Sequence, residues 1–395
     1  MTKLRIAVEG CCHGQLSNIY KTVSRIHSSN PIDLLIILGD FQSLRSVEDM
    51  ESISIPPKFQ RMGDFHRYYD GELVAPIPTI FIGGNHESMR HLMCLPYGGY
   101  VAENIYYLGY SNVIWFKGVR IGSLSGIWKE WDLDKARYEW DLLEAQHWQR
   151  GIKSLYHVRQ KELLPLFMLE ENKGMDIMLS HDWPNEVVYH GDIDGLLKAK
   201  PFFKKDIDNK ELGSPINSEL LDRLQPKWWL SAHLHVKYRA EINHGKDKED
   251  KIETKDTNEI DLGLDSDSDI ENDEPNKRES NKTTSFLALD KCMPRRQWLE
   301  VIEIETDITH PSYINDTMYL DPEFIDNLRY LSRHKDMIYS KKLQDYNWGQ
   351  LQKDKLQEVP HTDDLEIYRI PEYTENTQKE ETEQTEHFCK MFELT

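Results

Sequence analysis

Five times along the chain a short apolar run stops at glycine, histidine or an acid, and this recurrence restricts the fold more than any other feature. Residues 4–9 run into Gly10-Cys11-Cys12-His13-Gly14. The apolar stretch 33–38 ends at Gly39-Asp40, and 78–82 ends at Gly83-Gly84-Asn85-His86-Glu87. Residues 176–179 are followed by Ser180-His181-Asp182, and 228–230 by Ser231-Ala232-His233-Leu234-His235. Short continuous apolar runs are typical of strands buried on both faces. A helical pattern follows the first of them, with Leu16, Ile19, Val23 and Ile26 spaced to share one face. The alternation predicts an α/β fold of layered sheets. In open α/β sheets ligands bind beyond the carboxyl ends of the strands. Five distant segments are therefore placed to aim imidazoles, a carboxylate and an amide at one point.

Residues 112–116 and 119–124 read as a hairpin turning at Lys117-Gly118. Residues 130–156, rich in Trp, Asp and Lys and without a strand period, are expected to project from the sheet edge as helix and loop. Residues 246–284 hold no aromatic and few aliphatic residues, and include Asp265-Ser266-Asp267-Ser268-Asp269. Such a composition does not offset the entropy of ordering. Strand-like runs resume at 286–289 and 298–304. Residues 246–284 are thus expected to be a disordered acidic insertion inside one catalytic domain, 1–305. Ser266 and Ser268 fit an acid-directed kinase, although a solvating linker is the simpler reading. A helix is expected over 322–334 within a small helical C-terminal region, 306–350, and the acidic tail, 351–395, is assigned no structure.

The net charge of -20 looks wrong for a protein that handles nucleic acid, but the acidic excess concentrates in 246–280 and in the tail. A negative body repels RNA at long range, which argues against a non-specific binder. It is compatible with an enzyme whose cleft holds metal ions, the largest local charges in such a site. The five cysteines are scattered without CxxC spacing, so neither a disulfide framework nor a zinc ribbon is expected, and a reducing compartment is. No signal-like N-terminus and no membrane-length apolar run is present, which predicts a soluble intracellular protein.

Imidazole and carboxylate together suit Mn, Fe or Zn. A phosphodiester demands such a site: negative oxygens shield its phosphorus, water is a weak nucleophile, and the alkoxide leaves badly. Two divalent ions about 3.5–4 Å apart neutralise the oxygens, supply a bridging hydroxide and orient in-line attack. Asp40 is the carboxylate able to bridge them, and a histidine is able to protonate the leaving oxygen near neutral pH. Singly, Gly-Asp is a common turn and a lone histidine an ordinary hydrogen-bonded residue. In this order, all at strand ends, they read as a metal site.

Cys11-Cys12-His13, Gly39-Asp40, Gly84-Asn85-His86-Glu87, His181 and His233-Leu234-His235 together resemble the calcineurin-like metallophosphoesterases, whose pattern is D-x-H, G-D, G-N-H-E, a lone His and H-x-H. The resemblance implies a metallophosphoesterase-type layered β-sheet sandwich flanked by helices. It implies one metal held by His13, Asp40 and His235 with Cys11, and another held by Asp40, Asn85, His181 and His233. His86 would contact the scissile phosphate and assist the leaving group. Cys11 stands where most of the superfamily has Asp; a thiolate favours Zn or Fe, whereas a neutral thiol is a poor ligand.

That departure narrows the resemblance to the RNA lariat debranching enzymes, and a fungal member is suspected. It is carried by G-C-C-H-G, G-D-F-Q, G-G-N-H-E-S, S-H-D-W-P and S-A-H-L-H-V. It extends to residues 124–129 and 288–296, and covers roughly 1–305. It implies hydrolysis of the 2′-5′ bond at the branch point of excised introns, with branched RNA as partner, two divalent ions (Fe2+, Zn2+ or Mn2+) and a lariat-recognition loop at 130–157. Trp128, Lys129, Tyr156 and His157 are candidate RNA contacts, although Trp128, Trp131, Trp140 and Trp148 read as packing residues more readily than as stacking platforms. Lys198 and Lys200, in a run with Lys204 and Lys205, are candidate phosphate contacts, as are Arg295 and Arg296; such runs are more often solvated faces. Cys12 reads as a small packed residue, and Asp182 either orients His181 or caps a turn. A nuclear location, with the cytoplasm second, follows from the implied substrate. Protein partners are expected at the acidic insertion and tail.

A protein phosphatase would place Asp-Arg-Gly soon after Gly-Asp, whereas Asp40 is followed by Phe41-Gln42-Ser43-Leu44-Arg45. A DNA-processing nuclease shares the metal ligands, and only a substrate comparison separates it. A scaffold that lost its chemistry would have lost several ligands. Here one position is changed, to a residue that still ligates.

Overall fold

The computed structural model describes residues 2–148, 151–245, 283–360, 362, 364–374 and 381–394. Nearly all of the expected acidic insertion, with Ser266 and Ser268, lies outside the described residues. Its last two positions, Thr283 and Thr284, open a strand instead.

In chain order the strands are β1 (Lys3–Glu9), β2 (Leu34–Ile37), β3 (Thr79–Phe81), β4 (Gly99–Ala102), β5 (Ile105–Tyr107), β6 (Ser111–Phe116) and β7 (Val119–Leu124). They continue with β8 (Ile177–Ser180), β9 (Trp228–Ser231), β10 (Tyr238–Asn243), β11 (Thr283–Ala288), β12 (Leu299–Glu305) and β13 (Met318–Leu320). Among the described residues they form a six-stranded sheet, β12-β1-β2-β3-β5-β4, and a seven-stranded sheet, β10-β11-β9-β8-β7-β6-β13. β1, β2, β3 and β5 run parallel in the first, and β7, β8, β9 and β11 in the second. The expected α/β sandwich of layered sheets is what the chain forms.

Side-chain alternation sets the layers. Leu4, Ile6, Val8, Leu34, Ile36 and Ile80 join one core with Ile121, Ile177, Leu179, Trp229 and Phe286 of the second sheet. Ala7, Leu35, Ile37 and Phe81, on the alternate positions, pack instead with Leu16, Ile19, Tyr20 and Val23 of the helix Leu16–Ser29. Each large aliphatic side chain buried in this way contributes roughly 1.5–3 kcal/mol. Because strand residues alternate faces, these short strands serve both cores at once. The β6–β7 hairpin turns at Lys117 and Gly118, both at positive φ (45° and 75°), the geometry that matches strand twist in a two-residue turn.

β4, β5, β10 and β13 are not assigned in the sequence reading. β10 is an edge strand with strictly alternating burial. β13 lies inside the region expected to be only helical and pairs with β6, beside the expected helix Pro322–Arg333. The expectation that the tail carries no structure is corrected: Trp348–Glu358 and Glu381–Met391 are helices. In the second, the Gln384 side chain exchanges two 2.9 Å hydrogen bonds with the backbone of Tyr100 on edge strand β4, and Phe388 stacks on Tyr97. Acidic composition hides such a helix, because docking needs only one apolar stripe.

β10 pairs antiparallel with β11, Asn243 opposite Thr283, so the segment between them leaves and returns at one hairpin end. β11 runs parallel to β9. That hairpin end is therefore at the other end of the sheet from the residues that follow β9.

Candidate metal centre

The polar clusters of the sequence all follow carboxyl ends of parallel strands: Cys11 and His13 after β1, Asp40 after β2, Asn85 and His86 after β3, His181 after β8, and His233 and His235 after β9. The first three strands belong to one sheet and the last two to the other. The sandwich brings the ends together. His181 Nδ1 donates to the Leu38 carbonyl at 2.6 Å, joining the two sheets directly. Trp183 reinforces the second sheet's half by donating to Ala232 O at 2.7 Å.

Two glycines make this approach possible. A Cβ on Gly39 would fall 2.3 Å from His181 Nδ1, and one on Gly84 would fall 2.3 Å from Asp40 Oδ1. The glycines of Gly-Asp and Gly-Asn-His-Glu are thus contact surfaces for the ligating side chains.

Asp40 is fully buried between two sets of side chains. Its Oδ2 lies 3.6 Å from His13 Nε2, which in turn lies 3.2 Å from His235 Nε2. Ligand atoms of Cys11, His13, Asp40 and His235 all fall within 4.8 Å of one another. Its Oδ1 accepts from His86 N at 2.8 Å and lies 3.6 Å from His181 Nε2. His181 Nε2 is 3.2 Å from Asn85 Oδ1, and the ring of His233 is 5.1 Å from that of His181. His86 Nδ1 donates to Ser54 O at 3.0 Å, leaving Nε2 to accept from the Asn85 amide at 3.1 Å.

This donor set fits divalent cations. With His181 Nδ1–H given to Leu38, its Nε2 lone pair faces two oxygens, Asp40 Oδ1 and Asn85 Oδ1, an acceptor against acceptors that a cation resolves. Asp40 Oδ2 is buried with no hydrogen-bond donor. Burial pushes His233 and His235 each down to about 3, so both imidazoles are neutral and able to ligate. Burial alone would raise the Asp40 carboxyl, but the surrounding histidines hold it well below the usual carboxylate range. Burial, then Asp40 and Glu9, push the Cys11 thiol up, which favours the neutral thiol, and a bound cation would favour the thiolate.

The other expected residues divide. Cys12 is buried and packed. Asp182 caps: it accepts from Trp183 N at 3.0 Å and Trp128 N at 3.4 Å, while His181 is oriented by Leu38. The excursion 128–156 is zipped at its base, where Ile127 bonds to Tyr156 and Val158. Within it Trp148 packs with Met89, Leu143 and Leu155. Trp131 is 62% exposed with Lys129 Nζ 5.7 Å from its ring. Tyr156 is half-buried near Ser54 and Asp40. His157 departs from its expected role: it is buried, with Nδ1 2.7 Å from Asp132 Oδ2, and braces the loop from inside. Lys198 is exposed and Lys200 half-buried.

Glu87 has a larger part than its place in the motif suggests. Its buried carboxyl accepts from Phe41, Gln42 and Gly84 backbone N–H groups, each at 2.8 Å, tying the Asp40 turn to the Asn85 turn. Burial, with Asp40 adding, raises it to about 8.

The calcineurin-like phosphoesterase family profile matches residues 4–237, and a profile for the lariat debranching enzyme C-terminal domain matches 281–395. A lariat debranching enzyme of Saccharomyces cerevisiae is 56% identical over 99% of this chain and 100% of its own length. The chain belongs to the lariat debranching enzymes. Further members of the family are those of Schizosaccharomyces pombe, 40% identical over 82% of this chain and 78% of its own, and of Homo sapiens, 43% identical over 79% of this chain and 51% of its own. The family implies divalent metal ions at the centre described above. The C-terminal match starts at 281, so the debranching enzyme's C-terminal domain supplies β11 and β12, which complete both sheets. No helix among the described residues is long and apolar enough to cross a membrane.

Proposed function

We propose that the chain hydrolyses the 2′-5′ phosphodiester at the branch point of lariat RNA, releasing a linear RNA. The observation that carries this is Asp40: one oxygen turned to His13 and the other to His181, a carboxylate seated between two ligand sets. His13, His235 and Cys11 with Asp40 would hold one divalent ion, and Asn85, His181 and His233 with Asp40 the other. Two such ions, Fe2+, Zn2+ or Mn2+, would supply charge to neutralise phosphate oxygens and to acidify a water. His86 Nε2 takes up a proton and passes it to the departing adenosine 2′ oxygen, while the Ser54 carbonyl orients the ring through Nδ1–H. Asn85 spans the two roles, its oxygen on the His181 side and its nitrogen on His86. Glu87 and the two glycines keep these turns in register.

Trp131, Lys129 and Tyr156 face the substrate from the excursion. The protein works where introns are excised, the nucleus, which imaging of a fluorescent fusion tests. Protein partners would be met at the acidic insertion, since the last helix of the tail is packed on β4.

The test is cleavage of a short RNA with 2′-5′ and 3′-5′ bonds at one adenosine, with Mn, Zn or Fe(II), beside His86→Ala. Selective loss of the 2′ branch in the intact protein, abolished in the variant, supports the reading. Cleavage of both bond types would make it a general phosphodiesterase.

A further inference from the structure

In a chain of net charge -20, a group of unpaired cations calls for a partner. One such group is built against the metal centre. Cys11 N donates to Asp290 O at 3.4 Å, Cys292 N donates to Cys11 O at 3.0 Å, and Cys11 bridges Lys291. The turn 290–296 is thereby fastened to the end of β1. Arg296 bonds both oxygens of Asp290, at 2.9 and 3.1 Å, which neutralises the turn's carboxylate. Lys291 is near enough to act electrostatically on His13 and His235, and Lys200 is near enough to feel Asp290, Arg296 and Lys291.

Lys200 Nζ lies 5.8 Å from the ring of Phe202. Phe202 is 68% exposed and meets Phe203 edge-on at 4.7 Å, and it is Phe203 that enters the core. Among the described residues Lys200, Lys291 and Arg295 make no ion pair. Arg295 is exposed, and Lys200 and Lys291 are half-buried.

We propose that Lys291, Arg295, Lys200 and Phe202 form a binding ridge for one unpaired RNA strand leaving the branch, cations on its phosphates and Phe202 under a base. The inference rests on the debranching reading and adds to it a path for the substrate. Single strands are held by basic tracks interleaved with rings on which bases stack, without regard to sequence. A branch adenosine sends its strands in different directions, so a strand track separate from the excursion has a use. The excursion with Trp131 and Lys129 stands on the His233 side. The turn that carries Lys291 is fastened instead beside Cys11, where Lys291 acts on His13 and His235.

The experiment uses the full-length, metal-loaded protein and four branched RNAs: a minimal one with a single nucleotide on each arm, and three in which one arm at a time is extended by about ten unpaired nucleotides. Phe202→Ala and Lys200→Ala are compared with the intact protein in kcat and KM. The expected result is a KM rise of about tenfold, the scale of one lost stacked base, for one of the three extended substrates only. The KM for the minimal branch should stay within about twofold. Lys200→Ala should also flatten the dependence of log KM on log salt by roughly 0.7, the single-strand value for one phosphate contact. Equal changes on all four substrates, or none on any, would overturn the ridge. If the intact protein cleaves no 2′-5′ branch at all, the debranching reading fails and this inference with it.

Discussion

Four side chains of the centre hang from left-handed backbone: His13 at φ 49°, Asp40 at 48°, His233 at 59° and His235 at 51°. For residues with a Cβ, unusual backbone of this kind costs of order 1–3 kcal/mol each and persists only where the surroundings over-determine it. Glu87 is part of what does so. In Glu87→Gln one acceptor oxygen becomes an N–H2 group, set against a backbone donor and unable to accept. We expect a loss of about 1–3 kcal/mol, the cost of a buried donor left unsatisfied, with weaker metal retention. Thermal unfolding and metal analysis after dialysis measure both, and an unchanged midpoint would show that the two turns hold without it. The motif string put Glu87 beside the ligands, but burial and the three N–H groups it accepts were not legible there. Nor was the bracing role of His157, because a side chain's partner is set by a loop that closes only in the folded chain.

Two elements differ in how they serve the centre. The acidic insertion departs from the hairpin end farthest from His233 and His235, and its ends are neighbours, so a short turn is able to replace it. Replacing residues 246–282 by a short glycine-serine turn should leave debranching turnover within about twofold, since closing a shorter loop costs little. A loss of a hundredfold would tie the segment to the site. The last helix is bound more closely. Glu381 at its start accepts from Arg45 at 3.3 Å and Tyr69 at 3.2 Å and lies 3.3 Å from His91 Nε2, while His91 Nδ1 donates to Ser43 O. It thus clamps the segment that follows Asp40. Burial would raise this carboxyl, but His91 and Arg45 hold it at about 2. A depressed acid stabilises above its unfolded value and loses that contribution as pH falls through the folded one. The helix should therefore loosen between about pH 4.5 and 2, seen as faster proteolysis of the C-terminal end. Glu381→Gln should loosen it at neutral pH and remove the acid step. Identical pH profiles for the two proteins would dismiss the clamp.

Over the whole molecule, the ligands stand on strand ends beyond the apolar strands that form the core, which only Cys11 of the named ligands joins. Chelation should abolish debranching while the far-ultraviolet circular dichroism is retained. The melting temperature should fall, because a ligand at 100 times its Kd adds about 2.7 kcal/mol by mass action. Reloading with one metal at a time should restore both. Collapse of the secondary structure on chelation would mean that the ions hold the sandwich together.

Local chemistry by itself determined the strands that lead into the site and what stands at their ends, because a buried strand needs a continuous apolar run and a metal site needs imidazole and carboxylate beyond it. Cys11, His13, Asp40, Asn85, His86, His181, His233 and His235 were all readable in that way, as was the hairpin at Lys117-Gly118. Composition also misled: acidity concealed the docked helix Glu381–Met391, and a six-residue alternation in β10 went unread beside stronger signals. Only the tertiary structure decided that β12 completes the first sheet and β11 the second. It alone set the hydrogen bond from His181 to Leu38, 143 residues away, and the contact of Arg45 with Glu381, 336 residues away. Such pairings depend on how two sheets and a returning chain end pack, and no local pattern carries that distance.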